Sequence, residues 1–285
     1  MIDLSIIIVN YNNRQFLADC LNSIYQPGNN LSLEVIFVDN NSSDDSVDFV
    51  KQRFPQVRII QNKTNVGFSK ANNKGLAVYQ GRCALLLNTD TIVKPGSLGQ
   101  MVRFLDANQN IGAVGPQLLN TDGTPQHQGA LLAKKFWLSN KPVSVDYVLG
   151  AALMVRREIV DKIGGLDENF FFSNDDLDWC RRIRKAGWPI YFVPQAQIIH
   201  HGGLTTKHFS CKAFVEGFRG GLYFAKKHYG RLVYQIYRFI LILGLLIMIP
   251  AMLGNKDKLT AYCEILVIAV KGDIKAHYEE DSSAK

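Results

Sequence analysis

Through most of the chain, short apolar runs end in clusters of Asn, Asp and Ser, and amphipathic stretches follow them. Leu4-Ser5-Ile6-Ile7-Ile8-Val9 is β-branched and nearly continuous, which predicts a buried strand stopping at Asn10-Tyr11-Asn12-Asn13. From Arg14 to Tyr25, Phe16, Leu17, Cys20, Leu21 and Ile24 recur at a helical period, and Pro27-Gly28-Asn29-Asn30 breaks the helix. Leu33 to Val38 predicts a second strand. It runs into Asp39-Asn40-Asn41-Ser42-Ser43-Asp44-Asp45, a polar run suited to capping a helix through Val47, Phe49 and Val50. Val57 to Ile60 predicts a third strand, Asn62 to Ser69 a loop, and Lys70 to Tyr79 a helix.

Leu85-Leu86-Leu87 then runs straight into Asn88-Thr89-Asp90-Thr91. The run does not alternate, so both of its faces are expected to be covered, as in a parallel sheet with helices on each side. Strand and helix repeated in this order predict an α/β domain with a mostly parallel central sheet. Ligands bind at the carboxyl edge of such sheets, and Asp39 and Asp90 both follow strands. Asp90 suits a divalent cation and the phosphates it bridges; capping a turn is the plainer use of the same residue.

The second half is less regular. Leu98 to Leu105 reads as a helix, Gly112 to Pro116 opens an irregular region, and Asp122-Gly123 marks a turn. Residues 124–142 carry no clear period and read as a loop. Val145 to Val155 includes Gly150-Ala151-Ala152, small residues that let a ligand approach the backbone. A helix from Arg156 ends at Gly164-Gly165. Asp175, Asp176 and Asp178 follow an aromatic run; crowded in a cleft, their repulsion raises at least one pKa, which suits a general base. A helix N-terminus stabilised by acids is the alternative. Arg181, Arg182 and Arg184 on the next helix, Asp178 to Lys185, suit either these acids or a phosphate. Ile190 to Val193 and Ile198-Ile199 read as two strands, and His200-His201-Gly202-Gly203 follows. A His there is either a late metal ligand or structural.

Lys207 to Arg231 predicts a helix mixing aromatic and basic residues, which fits a membrane surface and a packing helix about equally well. Phe239 to Leu253 is uncharged and, at about 15 residues, short of the roughly 20 that span a bilayer. Leu259 to Val270 is a second apolar stretch, interrupted by Glu264. The pair is expected to form a helical hairpin on the cytoplasmic leaflet, with a homodimer interface through the same helices as the alternative and a true span ranked last. Ala276 to Lys285 reads as a charged, disordered end.

Composition narrows the partners. The 285 residues carry a formal net charge of +7, which favours nucleotide phosphates or anionic lipid. No dense basic run with interleaved aromatics argues for nucleic acid. The five cysteines lack CxxC spacing, which fits a reducing compartment and no zinc site. The start, Met1-Ile2-Asp3, lacks a basic signal-peptide n-region, so the protein is expected on the cytoplasmic side. GxGxxG and GxxxxGK[ST] are both absent, which removes the main support for a dinucleotide-binding or P-loop enzyme.

Taken together, the motifs resemble the family 2 inverting glycosyltransferases of the GT-A fold, in the subgroup of rhamnosyltransferases. They are Ile7-Ile8-Val9-Asn10-Tyr11-Asn12, Val38-Asp39-Asn40-Asn41-Ser42-Ser43-Asp44, Asn65-Val66-Gly67-Phe68 with Asn72-Asn73, and Leu86-Leu87-Asn88-Thr89-Asp90. Gly164-Gly165-Leu166-Asp167-Glu168, Asp175-Asp176-Leu177-Asp178 with Arg182, and His200-His201-Gly202-Gly203 follow in order. The resemblance covers about Leu4 to Thr206. It implies that Val9, Asn10 and Tyr11 line the base pocket and that Asp39 contacts the base or ribose. Asn65, Gly67, Phe68, Asn88 and Arg182 join them on the donor. Asn88-Thr89-Asp90 stands where the family has DxD, so Asp90, with His200 and the donor diphosphate, would hold Mg²⁺ or Mn²⁺; Asn88 is a neutral substitute for an acid. Asp175-Asp176 stands for the family's Glu-Asp pair, with Asp176 as base and Asp175 in reserve.

The implied reaction moves a sugar, rhamnose from dTDP-rhamnose by preference and otherwise from a UDP- or GDP-sugar, to a lipid-linked or polysaccharide acceptor with inversion. A nucleotidyltransferase is disfavoured because no Gly-rich phosphate loop is present. A membrane scaffold with a decayed site is disfavoured because Asp39, Asp90, Asp176 and His200 are all retained. The expected organisation is a catalytic domain over 1–206, a basic and aromatic helix over 207–236, and the apolar hairpin with its charged end over 237–285.

Overall fold

A computed structural model describes residues 1–26, 30–128, 135–202, 211–272 and 274. The expected helix break at 27–29, part of the loop at 124–142, residues 203–210 and the charged end from Ala276 fall outside them.

A nine-stranded mixed, largely parallel sheet forms the centre. Its strands are β1 (Leu4–Asn10), β2 (Leu33–Asp39), β3 (Arg58–Gln61), β4 (Cys83–Leu87), β5 (Thr91–Val93), β6 (Ala113–Leu119), β7 (Val143–Val145), β8 (Ala152–Arg156) and β9 (Ile190–His200). The order is β3-β2-β1-β4-β8-β6-β9-β5, with β7 on β9. Strands β1 to β4 pair in parallel; β8 is antiparallel to both β4 and β6.

Why β4 does not alternate is now plain. Leu85 and Leu87 pack into one apolar cluster with Ile6, Ile8 and residues of α1 (Arg14–Ile24) and α4 (Ser97–Ala107). Leu86 packs into the cluster on the other face, with Ile7, Val38 and residues of α3 (Phe68–Leu76) and α6 (Asp175–Lys185). Every side chain of β4 is buried. Helices α2 (Ser46–Arg53) and α5 (Arg157–Ile163) complete this part.

Two expectations change here. The region from Gly112 is a fully buried strand, β6, not irregular. The two short strands expected over 190–199 are one, β9, whose pairing with β6 slips between Pro116 and Gln117. Residues 194–196 of β9 are passed over in that ladder, so Pro194 costs no ladder hydrogen bond there. The slip lets β9 run on to His200, which reaches the sheet's ligand-binding edge beside Thr91.

Beyond the sheet, α7 (Cys211–Met248) is broken at Gly230, where φ is 79°. A 3₁₀ turn (Ile249–Met252) joins it to α8 (Lys256–Lys271). The two helices share their own apolar cluster, including Val215, Leu222, Leu245, Ala261 and Ile265. The expected boundary at 236/237 lies inside α7; the break in the helix comes at Gly230. After that break the helix is mostly apolar, with Gln235 and Arg238 within it, and the α7 region is long and apolar enough, by length and composition, to cross a membrane. The uncharged run of about 15 residues, Phe239 to Leu253, belongs to a longer helix that Tyr234, Gln235, Tyr237 and Arg238 interrupt without ending.

Candidate active site

The carboxyl ends of β1, β2 and β4 converge because parallel strands all end on one edge. Asn10 and Asp39 are register partners there. The Asp39 carboxylate accepts from Asn10 Nδ2 at 3.2 Å and from the Ser42 N–H at 3.0 Å, which fixes it in the turn after β2. Tyr11, next in the chain, is exposed, and Val9 is half-buried.

Asn40 braces the next loop. Its Oδ1 accepts from Asn62 Nδ2 and from the Val66 N–H, each at 3.0 Å, and its Nδ2 donates to Asn65 Oδ1 at 2.8 Å. Gly67 takes φ 75°, and a Cβ there would lie 2.7 Å from the carbonyl oxygen of Phe171. That close approach lets the Phe68 N–H donate to the same carbonyl at 2.7 Å. Asn65 and Gly67 therefore tie the β3–α3 loop to the acidic loop, and Phe68 reaches the cleft.

A cleft of about 510 Å³ lies beside these ends, lined among others by Phe68, Asn88, Gly150, Asp175, Asp176 and His200. On one wall, Asn88 Nδ2 lies 3.5 Å from His200 Nε2, and Asp90, which is not itself among the lining residues, brings Oδ1 to 3.4 Å from the same nitrogen. The tautomer of His200 follows from Gln126. Its amide nitrogen donates to the His200 carbonyl at 3.2 Å and to Asn120 Oδ1 at 3.3 Å. That leaves Gln126 Oε1 to accept from His200 Nδ1 at 2.8 Å. His200 Nε2 then presents a lone pair to the Asp90 carboxylate. Asn88 Nδ2 can donate to that nitrogen from 3.5 Å, and a cation between Nε2 and the carboxylate would satisfy both acceptors. Among the described residues no group of three or more His, Cys, Asp or Glu is placed to hold a metal ion. Two protein ligands and the phosphates of a bound diphosphate nonetheless suit Mg²⁺ or Mn²⁺, which take few ligands from the protein in such sites.

The opposite wall is the N-terminus of α6. Ser173 and Asn174 both take left-handed φ, 66° and 65°, an uncommon pair of non-glycine residues that turns Asp175 and Asp176 into the cleft. Asp176 Oδ2 accepts from the Gly150 N–H at 2.8 Å and Oδ1 from the Leu177 N–H at 2.8 Å. A Cβ on Gly150 would sit 3.3 Å from that of Asp176, so the bare backbone there lets the carboxylate approach closely at a position that also lines the cleft. Asp175 is almost fully buried and its Oδ2 has no partner among the described residues. Burial, and next the charge of Asp176, push the Asp175 carboxyl up to about 8. Burial also raises Asp176, against the two backbone N–H groups that favour its charged form.

Asp178 behaves differently. Burial alone would raise its pKa, but Lys227, Arg182 and His228 together hold it below the usual carboxylate range. Lys227 and His228 come from α7, the latter with Nε2 at 2.7 Å from Asp178 Oδ1. Asp167 in the preceding loop also takes Lys227, at 2.7 Å, and the Tyr223 hydroxyl donates to it at 2.9 Å. Asn174 Nδ2 donates to the Gly217 carbonyl at 3.0 Å. Helix α7 is thus fastened to the loop that carries the acidic pair.

Arg182, expected on the donor, does not line the cleft. It donates to Asp178 at 2.8 Å and to the carbonyls of Ile163 and Gly165 at 3.1 and 2.6 Å, closing the end of α5 against α6. Its position four residues after Asp178 on one helix explains the pairing. Motif reading missed Gln126, which follows the Asp122-Gly123 turn in a stretch without periodicity, and also His127 and Tyr147 in the cleft. Asn40 carried a signal, adjacent to Asp39 in a run of Asn and Ser, that patterning alone could not turn into a role.

The pattern of the glycosyl transferase family 2 matches residues 5–164. The chain belongs to that family. An N-acetylglucosaminyl-diphospho-decaprenol L-rhamnosyltransferase of Mycobacterium tuberculosis is 26% identical over 210 residues, 61% of this chain and 68% of that protein. A dTDP-rhamnosyl transferase, RfbF, of Shigella flexneri is 23% identical over 177 residues, covering 58% of this chain and 59% of that protein. A crystal structure of GalNAc-T7 with UDP, GalNAc and Mn²⁺ superposes with a TM-score of 0.61 at 17% identity, over 77% of this chain and 48% of that one. Staphylococcus aureus TarS gives 0.56 at 18% identity, over 79% and 40%. This family 2 enzyme therefore has the GT-A-like α/β fold expected of its motifs, and it spans about half of each of those two solved chains.

Proposed function

We propose that the chain transfers L-rhamnose from dTDP-rhamnose to a lipid-linked glycan, inverting the anomeric centre. One observation carries the chemistry: Asp176, pinned by the Gly150 N–H, faces the same cleft as Asn88 and as His200, which has Asp90 beside it. Asp176 takes the proton of the acceptor hydroxyl, whose oxygen attacks the anomeric carbon from the face opposite the nucleotide diphosphate. A single base and a single displacement give inversion without a covalent intermediate. Asp175, protonated and buried beneath, keeps a second negative charge out of the cleft. Asp39 and Asn10 hold the nucleoside, with Val9 and Tyr11 beside them. Asp90 and His200 would hold Mg²⁺ or Mn²⁺, and a divalent ion there supplies neutralisation of the leaving diphosphate's charge.

The donor is assigned from two relatives whose names specify rhamnosyl transfer. A lipid-linked acceptor fits the name of the mycobacterial relative and the apolar face of α7. That face, with Leu232, Ile236, Phe239, Leu243 and Leu246 exposed, repeats at a helical period and suits burial in a leaflet. Helix α8 packs on other residues of α7, among them Tyr234 and Leu245, and exposes Glu264 midway, which disfavours a full span because the carboxylate would sit in hydrocarbon. The favoured arrangement is a monotopic hairpin on the cytoplasmic leaflet rather than an interface between two copies.

A panel of nucleotide sugars, assayed for donor hydrolysis and transfer with and without Mn²⁺, tests the reading. dTDP-rhamnose is expected to be turned over best, and Asp176→Asn and Asp90→Ala each to abolish transfer. Full transfer by both variants overturns the mechanism; preference for a UDP- or GDP-sugar overturns only the donor. Donor binding without any turnover favours a non-catalytic scaffold.

A further inference from the structure

At the break in α7, away from the cleft, a second cavity of about 500 Å³ is lined by Lys226, Arg231, Tyr234, Gln235, Arg238 and Gly272. Three of those six residues are cations. Among the described residues no carboxylate lies within ion-pair distance of Lys226, Arg231 or Arg238. The third is fixed in place: the Arg238 guanidinium donates to the carbonyls of Ala269 and Val270 at the end of α8, and Nη1 reaches Gln235 Oε1 at 3.4 Å. Gly272 ends α8 with φ 74°, and a Cβ there would meet the Tyr234 hydroxyl oxygen at 3.6 Å. The hydroxyl and two further cations line the same space, so the cavity offers donors and positive charge to an anion with several acceptor oxygens.

Its position identifies the source of that anion. Arg231, Gln235 and Arg238 follow one another at i, i+4 and i+7, so they form one stripe along the second half of α7. The stripe of Leu232, Ile236, Phe239 and Leu243 is each time one residue further on, beside it on the cylinder, and is exposed. With the apolar stripe in the acyl region, the cationic stripe stands at the depth of the lipid headgroups. We infer that this cavity is a binding site for the phosphate of an anionic membrane lipid, seated between Lys226, Arg231 and Arg238 while its chains lie along Leu232, Ile236 and Phe239. The inference rests on the membrane reading of α7 given above and adds a specific headgroup site to it.

The test is flotation of the purified full-length chain with vesicles of phosphatidylcholine alone or mixed with phosphatidylglycerol. The wild type is expected to prefer the mixed vesicles. Lys226→Gln with Arg231→Gln lowers partitioning onto them about thirty-fold, from about 1 kcal/mol per cation at an anionic surface, and leaves partitioning onto phosphatidylcholine unchanged. Arg238 is left intact because it also closes α8. The control pair Lys63→Gln with Arg103→Gln removes equal charge from exposed positions of the sheet domain and is expected to lose less than three-fold. Retained donor hydrolysis and an unchanged tryptophan-fluorescence melt show that the double variant is folded.

Equal binding of the wild type to both vesicles overturns the phosphate site and leaves the membrane reading standing. Binding to neither overturns the membrane reading itself. An equal loss in the control pair reduces the effect to diffuse charge and overturns the site. Release of the wild type from mixed vesicles by excess inorganic phosphate at constant ionic strength is the competition expected of the site; phosphate binding by the free protein with a double variant that still partitions like the wild type overturns the lipid as the source.

Discussion

Replacing Asp175 by Asn tests the electrostatics of the acidic pair directly. Asp175 is 3% exposed, has one oxygen without a partner among the described residues, and keeps its proton up to about pH 8. In the unfolded chain it ionises near the ordinary value of 3.8. The folded pKa is raised, so this group's contribution is fully present below about pH 4 and is lost as pH climbs toward 8. Between those limits the folded state binds one more proton than the unfolded state, and stability falls by up to about 1.4 kcal/mol per pH unit. Asparagine does not titrate. Its amide meets the same partnerless pocket and costs about 1 to 3 kcal/mol, equally at every pH. The stability of Asp175→Asn minus that of the wild type should therefore rise by about 2 to 3 kcal/mol from pH 5 to pH 7. At about 2–4 °C per kcal/mol for a domain of this size, that is a shift of roughly 4 to 12 °C in the difference between melting temperatures. Titrating groups remote from Asp175 cancel in the subtraction; Asp176, whose charge acts on Asp175, contributes to the same difference. Tryptophan fluorescence reports it well, because Trp137, Trp179 and Trp188, the three tryptophans of the chain, all lie in the sheet domain. A difference that stays flat from pH 5 to pH 7 would refute a protonated Asp175.

Three further substitutions probe the frame around the cleft. Gln126→Leu removes the acceptor that fixes the His200 tautomer and should weaken Mn²⁺ binding about 10- to 100-fold in calorimetry with nucleotide diphosphate present; an unchanged affinity would remove Gln126 from the site. Gly67→Ala forces a Cβ to 2.7 Å from the Phe171 carbonyl at positive φ, and should cost about 1–3 kcal/mol in a thermal melt; a neutral result would show that the two loops are not joined as described. Asp178→Ala leaves Arg182, Lys227 and His228 without their buried anion, and about 3–5 kcal/mol of stability should go with it, measured by denaturant titration at pH 7.

The sheet edge was legible because its chemistry is local. Apolar runs ended by Asn and Asp place Asp39 and Asp90 after strands whatever the rest of the fold does. The mixed character of the sheet was not legible: β8 and β6 are apolar segments whose direction no residue announces, and Pro116 disguised a buried strand as a loop. The placement of His200 depended on β9 running past Pro194 through a register slip, a property of two strands together. Arg182 shows the limit of motif reading. A guanidinium near phosphate chemistry was expected to meet the donor, yet its partners are Asp178 one helical turn earlier and two carbonyls at the end of α5. Gln126 lay beyond reach because its role exists only through His200, which is distant in sequence and adjacent in space.

The attachment of α7 to the acidic loop has a consequence for how such enzymes can be recombined. Lys227 pairs with Asp178 and His228 hydrogen-bonds to it, and the Gly217 carbonyl accepts from Asn174 immediately before the acidic pair. The C-terminal helices are thus no interchangeable cassette that a foreign anchor can replace. A chimera joined before Cys211 would deprive Asp178 of the Lys227 ammonium and of its hydrogen bond with His228, beside the residues expected to do the chemistry. The permissive junction lies after His228, where Gly230 already interrupts the helix, and grafts made there would leave the contacts of Lys227 and His228 with Asp178 in place.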